Sequence, residues 1–101
     1  MSSASTVRPG ERHDSSTDGV IGHWHGHEVG IWQCEPGTFP DTEVEEIFVV
    51  LSGAARVEFV EPELPAIEIG PGDVVRLQEG MRTVWTVRET LRKVYLTQET
   101  N

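Results

Sequence analysis

Glu46 heads the apolar run Ile47-Phe-Val-Val-Leu51, an unusual position for a carboxylate. Alternate side chains of an extended segment share a face, so Glu46, Phe48 and Val50 point the same way. If that face is turned into the protein, the carboxylate is buried and needs a partner. Lys93 is the candidate. Leu91, Lys93 and Tyr95 share a face in one apolar run, and Thr83 and Trp85 share one in the run before it. With Trp32 they would form an apolar wall carrying a few polar groups, the usual make-up of a ligand site. The chemistry of such a site is proton transfer. Burial pushes a carboxyl group towards neutrality from below and an amine from above, while close pairing of the two opposes both shifts. The same pattern also allows Glu46 and Lys93 to lie exposed on opposite outer faces.

Three other groups invite chemistry. His23, His25 and His27 form an H-x-H-x-H run. On one strand all three would point the same way, about 7 Å apart, a spacing that can chelate a transition ion. The alternative is an exposed edge strand or arm, with Glu28 on the opposite face. Cys34 shares a strand face with Trp32 and counts among the pocket-lining residues. It would be a nucleophile only with a base beside it; a small buried hydrophobe is the ordinary role of a single free cysteine. Glu43 and Glu45 read as a solvated rim beside Glu46.

The elements that must position these residues are short. Val29–Cys34, Ile47–Leu51, Ala55–Phe59, Ile67–Ile69, Val74–Leu77, Thr83–Val87 and Leu91–Thr97 read as strands. Pro36-Gly37, Ser52-Gly53, Glu61-Pro-Glu-Leu-Pro65, Gly70-Pro-Gly-Asp73 and Glu79-Gly80 separate them. No stretch carries a three-turn amphipathic helix. The pattern predicts an all-β sandwich or barrel. Residues 1–19, rich in Ser, Thr, Gly, Arg and Asp, read as a flexible tail, leaving 20–101 as one domain.

Composition bounds the function. The 101 residues fit one domain able to bury a core without disulfides. A formal net charge of −9 argues against nucleic acid and against anionic membrane surfaces. No apolar run approaches a membrane span, and Met1 to Asp18 lacks the apolar core of a secretory signal. A lone cysteine suits a reducing cytoplasm.

Two stretches resemble the paired motifs of the cupin superfamily. Gly70-Pro-Gly-Asp-Val-Val-Arg-Leu-Gln-Glu-Gly80 is similar to its second motif, with Gln78 where a proline is usual. Glu46-Ile-Phe-Val-Val-Leu-Ser-Gly53 is similar to the end of the first. The string Gly30-Ile-Trp32, Glu35-Pro-Gly37, Phe39, Glu46, Leu51-Ser-Gly53, Gly72-Asp73, Trp85, Lys93 and Tyr95 resembles the small single-domain cupins grouped with ureidoglycine aminohydrolase and an ethanolamine-utilisation protein. The resemblance implies a jelly-roll β-barrel, often dimeric. Cupin metal sites resemble a shell of three histidines and one glutamate. Phe39, Pro40, Asp41 and Thr42 occupy the place of the first two histidines here, and Thr83 that of the third. Glu46 alone remains, and one carboxylate does not hold zinc, manganese or iron tightly. Neither metal nor other cofactor is therefore expected.

The resemblance favours the pocket over the solvated alternative. It sets Glu46, Lys93 and Tyr95 together at the barrel mouth as acid–base groups, with Trp32, Cys34, Thr83 and Trp85 lining it. The expected function is binding of a small polar nitrogenous or sugar-like metabolite, with catalysis left open. The alternative is a sensing or structural cupin with a filled barrel. A homodimer is expected in either case, its Val20 to His27 segment pairing across a two-fold axis.

Overall fold

The computed structural model describes residues 16–98, and every regular element among them is a strand. In chain order these are β1 (Ser16–Trp24), β2 (His27–Cys34), β3 (Gly37–Thr42), β4 (Glu46–Glu61), β5 (Leu64–Ile69), β6 (Val74–Leu77) and β7 (Arg82–Gln98). The expected all-β jelly-roll architecture is present.

Two long strands form its spine. β4 and β7 run antiparallel from Glu46↔Thr97 to Glu61↔Arg82. Each was expected as two short strands. Each is instead one strand that bends through irregular register around Ser52 and Ala54, opposite Arg92 and Glu89. A bulge bends a strand without ending it, so the polar breaks at Ser52-Gly53 and Arg88–Thr90 mark corners rather than turns. Gly53 is required at that corner. Its φ is +96°, and a Cβ there would fall 2.8 Å from Leu91 Cα and drive into the Thr90 carbonyl.

On one side of the corner the order is β1-β2-β7-β4, with β6 on the far edge of β4; on the other side β3 pairs β7, and β5 pairs β4. The inward faces of both halves meet in one core. Cys34, Phe48, Val50, Leu77, Leu91 and Tyr95 come from the first half, and Ala55, Val57, Ile69, Trp85 and Val87 from the second. Period-two alternation produces this arrangement: along β7, Thr83, Trp85, Val87, Leu91, Lys93, Tyr95 and Thr97 are all buried.

The domain begins earlier than the composition suggested. Ser16 to Gly19, expected within the tail, pair with Cys34 to Ile31 as the first half of β1. The rest of the expected tail, 1–15, lies outside the described residues.

Candidate functional site

Lys93 and Glu46 reach each other inside the first half of the fold. Lys93 Nζ donates to Glu46 Oε2 at 2.6 Å, and the two side chains are only 8% and 9% exposed. The register explains the meeting. Lys93 on β7 faces Val50 on β4 and Trp32 on β2, and Glu46 sits two inward positions from Val50 on the same β4 face. Aromatic rings surround the ammonium. Its Nζ lies 4.1 Å from the Phe48 centroid, 4.9 Å from Trp32 and 5.1 Å from Trp85. A cation on ring faces, desolvated and paired with a carboxylate, recovers electrostatic stabilisation lost with its water.

A second carboxylate completes the cluster. Glu43 read as rim in the sequence, but it is buried. Its Oε2 accepts from Thr83 Oγ1 at 2.6 Å and from Trp85 Nε1 at 3.0 Å. Trp85 Nε1 also lies 3.1 Å from Thr83 Oγ1, so the three groups form a closed triangle. The Glu43 backbone is pinned across the turns by Glu43 N–H to Met81 O at 2.8 Å and Gly80 N–H to Glu43 O at 2.9 Å. Burial pushes the Glu43 carboxyl above the usual carboxylate range, and the nearby Glu46 charge pushes it further; Lys93, Thr83 and Trp85 pull it back in part. Both donors reach the same oxygen, Oε2.

Trp32 and Phe39 form the outer wall. Both are half-buried; Phe39 stacks on Trp85 with centroids 6.2 Å apart and planes at 6°, and Trp32 lies 6.0 Å from Trp85. Cys34 is fully buried, with its Sγ donating to the Glu35 carbonyl at 3.3 Å. It lies one inward rung beyond Trp32, opposite Leu91.

Tyr95 departs from the expected convergence. It is buried on the Lys93 face, but its hydroxyl donates to Asp18 Oδ1 at 2.6 Å, with Glu28 Oε2 at 3.4 Å. A phenol has one proton to give, and the shorter contact takes it. Burial raises the Tyr95 phenol well above its ordinary value, and the Asp18 carboxylate raises it further. Gly30 makes this route possible, since a Cβ there would meet Tyr95 Cζ at 2.5 Å. Tyr95 therefore anchors β1 to the sheet. The sequence reading missed Asp18 because it fell in the stretch taken for tail.

The histidine run does not lie along one strand. Its first member, His23, lies in β1 just before the strand ends at Trp24, and its last starts β2. His25 and Gly26 make a two-residue turn, with φ of 47° and 80°. His23 pairs across the strands with Glu28, placed on the opposite side by the sequence reading, while His27 Nδ1 lies 3.0 Å from the His25 carbonyl oxygen. Gly26 was the available turn signal. Among the described residues no three His, Cys, Asp or Glu side chains gather as a metal-binding group.

The residues at the cupin metal position do not fit a transition ion. Pro40 pairs with Val84 and Asp41 with Thr83, and Thr83 donates its hydroxyl to Glu43, so no imidazole stands there. Glu46 is already neutralised by Lys93, whose positive charge opposes a second cation.

The family model described as the EutQ-like cupin domain matches residues 25–95. Among solved structures, the chain resembles the EutQ protein of Clostridium difficile with a TM-score of 0.72 at 16% identity, over 87% of this chain and 75% of that one. It resembles a putative ethanolamine utilization protein q of Salmonella typhimurium with a TM-score of 0.64 at 25% identity, over 75% of this chain and 60% of that one. A DUF861 family protein of Thermotoga maritima is 30% identical over 64% of this chain and 73% of that one, with a TM-score of 0.59. No curated protein sequence matches the chain. On the extent of the family match, set on an all-β fold of the same kind, the chain belongs to the EutQ-like cupin domain family.

Proposed function

We propose that the ligand of this small-molecule-binding cupin is a small polar metabolite, held against the Trp32–Phe39–Trp85 wall, and that Glu43 exchanges a proton with it; membership of a cupin domain family supports small-molecule binding in general. The observation that carries this reading is the buried cluster Glu43–Glu46–Lys93. With all three groups ionised it bears a net negative charge out of water; with Glu43 protonated it is neutral. A buried carboxyl group raised by burial and by a neighbouring carboxylate is the kind of group that gives or takes a proton as a neighbour changes. Lys93 and Glu46 then act as a fixed dipole that orients polar groups of the ligand. The aromatic wall supplies apolar contact and excludes water.

The cluster favours a ligand with a basic nitrogen. Such a group accepts the Glu43 proton and becomes an ammonium facing the Glu43 carboxylate so formed. That the Salmonella relative is described as a putative ethanolamine utilization protein accords with a nitrogenous ligand. Tryptophan fluorescence tests the reading, because Trp32 and Trp85 both border the cluster. The protein is titrated with separate panels of small amines, amino alcohols, hydroxy acids and sugars, beside a Glu43→Gln variant that keeps the carbonyl acceptor and loses the titration. Saturable quenching by a nitrogenous compound, weakened at least about 10-fold in Glu43→Gln, supports the proposal. No saturable change with any panel, or equal binding to both proteins, sinks it.

A further inference from the structure

We propose that Lys93 captures a small aldehyde as an imine, with Glu46 and Glu43 moving the protons. The proposal rests on the reading of the cluster as a ligand site and adds the bond by which the ligand is held. The choice of residue points to it first. The chain has one lysine against seven arginines, and that lysine is Lys93. No arginine among the described residues is buried, and arginine supplies the cation of the ion pairs with Glu45, Glu58, Glu61 and Glu68. Arginine is also the usual cation for a buried pair with a carboxylate, because its planar fork can bind both oxygens. The one side-chain amine of the chain therefore stands where an ion pair alone would favour a guanidinium. A primary amine does what a guanidinium does not: it condenses with a carbonyl group.

The surroundings supply the rest of the step. Lys93 Nζ passes one proton to Glu46 Oε2 along their 2.6 Å hydrogen bond, and burial lowers the cost of the neutral pair so formed. The free amine attacks the carbonyl carbon: the N–C bond forms and the C=O π pair moves to oxygen. Trp85 brings Glu43 to the same place, with its ring 5.1 Å from Nζ and its Nε1 3.0 Å from Glu43 Oε2. Glu43, which burial favours in its protonated form, protonates the oxygen and then takes a proton from the nitrogen. The carbinolamine hydroxyl accepts the proton held on Glu46, and water leaves as the nitrogen lone pair closes the C=N bond. Ammonium and aldehyde have become iminium and water, and both carboxyl groups are back in their starting states. The iminium carries the charge that the ammonium carried. It keeps the Glu46 carboxylate and the ring faces of Phe48, Trp32 and Trp85 as its partners. The substrate class follows from access and charge. The Lys93 side chain is 8% exposed beside half-buried Trp32, so the carbonyl compound must be small. It must also lack an anionic group, which would bring a third carboxylate against Glu43 and Glu46.

Reductive trapping on the full chain tests this. The protein is incubated with glycolaldehyde and cyanoborohydride, and hydroxyethyl adducts are located by peptide mass mapping. Arginine gives no reducible imine, so the competing amines are Lys93 and the α-amino group, which serves as an internal reference. A buried lysine that only holds the fold together would react last. Lys93 should instead react at least about 10-fold faster than the α-amino group in the native protein, and unfolding in urea should abolish the preference. Glu43→Gln should slow capture at Lys93 at least about 10-fold and leave the α-amino rate unchanged. A native protein in which the α-amino group reacts first, a preference that survives in urea, or equal capture at Lys93 in folded Glu43→Gln would overturn the proposal. Should Glu43→Gln fail to fold, the comparison of native with urea-unfolded protein decides alone. Tryptophan quenching by glycolaldehyde without the hydride separates this inference from the reading beneath it. Saturable quenching with no adduct at Lys93 rejects the imine and leaves the cluster a ligand site. Absence of both also rejects the imine, and the amine titrations then decide whether the cluster binds anything.

Discussion

Removing one partner of the Glu46–Lys93 pair should be among the most damaging single changes available to this domain. Lys93→Met keeps the length and apolar stem of the side chain and deletes its charge. Glu46 then keeps a carboxylate 9% exposed with no cation at hydrogen-bond distance, and Glu43 loses the positive charge that partly offset its burial. Breaking a buried pair in this way costs about 3–5 kcal/mol. The upper half of that range applies, because two carboxylates are left behind and three ring faces lose their cation. Against a total stability of about 5–15 kcal/mol for a domain of this kind, the variant should approach the folding threshold. Its melting temperature should fall by roughly 15–40 °C. The double variant Lys93→Met with Glu46→Leu should recover most of the loss, because it strands no Glu46 charge. The single-variant defect should also shrink as pH falls and carboxyl groups become neutral. Urea unfolding of all four corners of the cycle gives the coupling directly. A Lys93→Met midpoint equal to wild type would refute the reasoning, as would a double variant no more stable than the single.

Other consequences are equally open to measurement. The raised Glu43 carboxyl makes the folded protein bind an extra proton above about pH 4.3, the ordinary glutamate value. Its contribution to stability is therefore complete below that value and is lost as pH rises through the folded-state value. Glu43→Gln should flatten this slope in denaturant midpoints taken across the range, and an unchanged slope would show that Glu43 does not titrate as described. Gly30→Ala should cost about 1–3 kcal/mol by forcing Tyr95 off Asp18, since the added Cβ would also lie 2.9 Å from the Gly19 carbonyl. Hydrogen exchange should show β1 loosening first, and uniform protection would contradict that. Tyr95→Phe deletes the Asp18 bond alone and should cost about 1 kcal/mol, read from its urea midpoint, without altering tryptophan quenching by a ligand.

Much of the architecture was legible because alternation is a local signal. Ile47 to Leu51 and Leu91 to Thr97 declare their inward faces in sequence, and those faces carry Glu46 and Lys93 to the same place. Corners were not legible. Ser52-Gly53 looks like a turn until the pairing of β4 with β7 carries the strand through it. Glu43 was hidden for a related reason. It stands between β3 and β4, where no alternation applies, and its burial depends on Met81, Thr83 and Trp85, some forty residues on. The hint was indirect: two inward donors, Thr83 and Trp85, needed an acceptor that the first strand motif did not supply. The histidines failed the opposite way. Their regular spacing suggested a strand, while the single residue Gly26 decided for a turn.

The indole resonances test the central claim most directly. Three tryptophans give three indole N–H signals in a nitrogen-edited proton spectrum, and that of Trp85 reports on its bond to Glu43. During titration with small nitrogenous metabolites, a ligand of the Glu43–Glu46–Lys93 cluster should shift the Trp85 and Trp32 signals together. The exposed Trp24 signal should stay in place. If every compound leaves Trp85 unmoved, or if binding is detected only through Trp24, the cluster is not a ligand site and serves the fold alone.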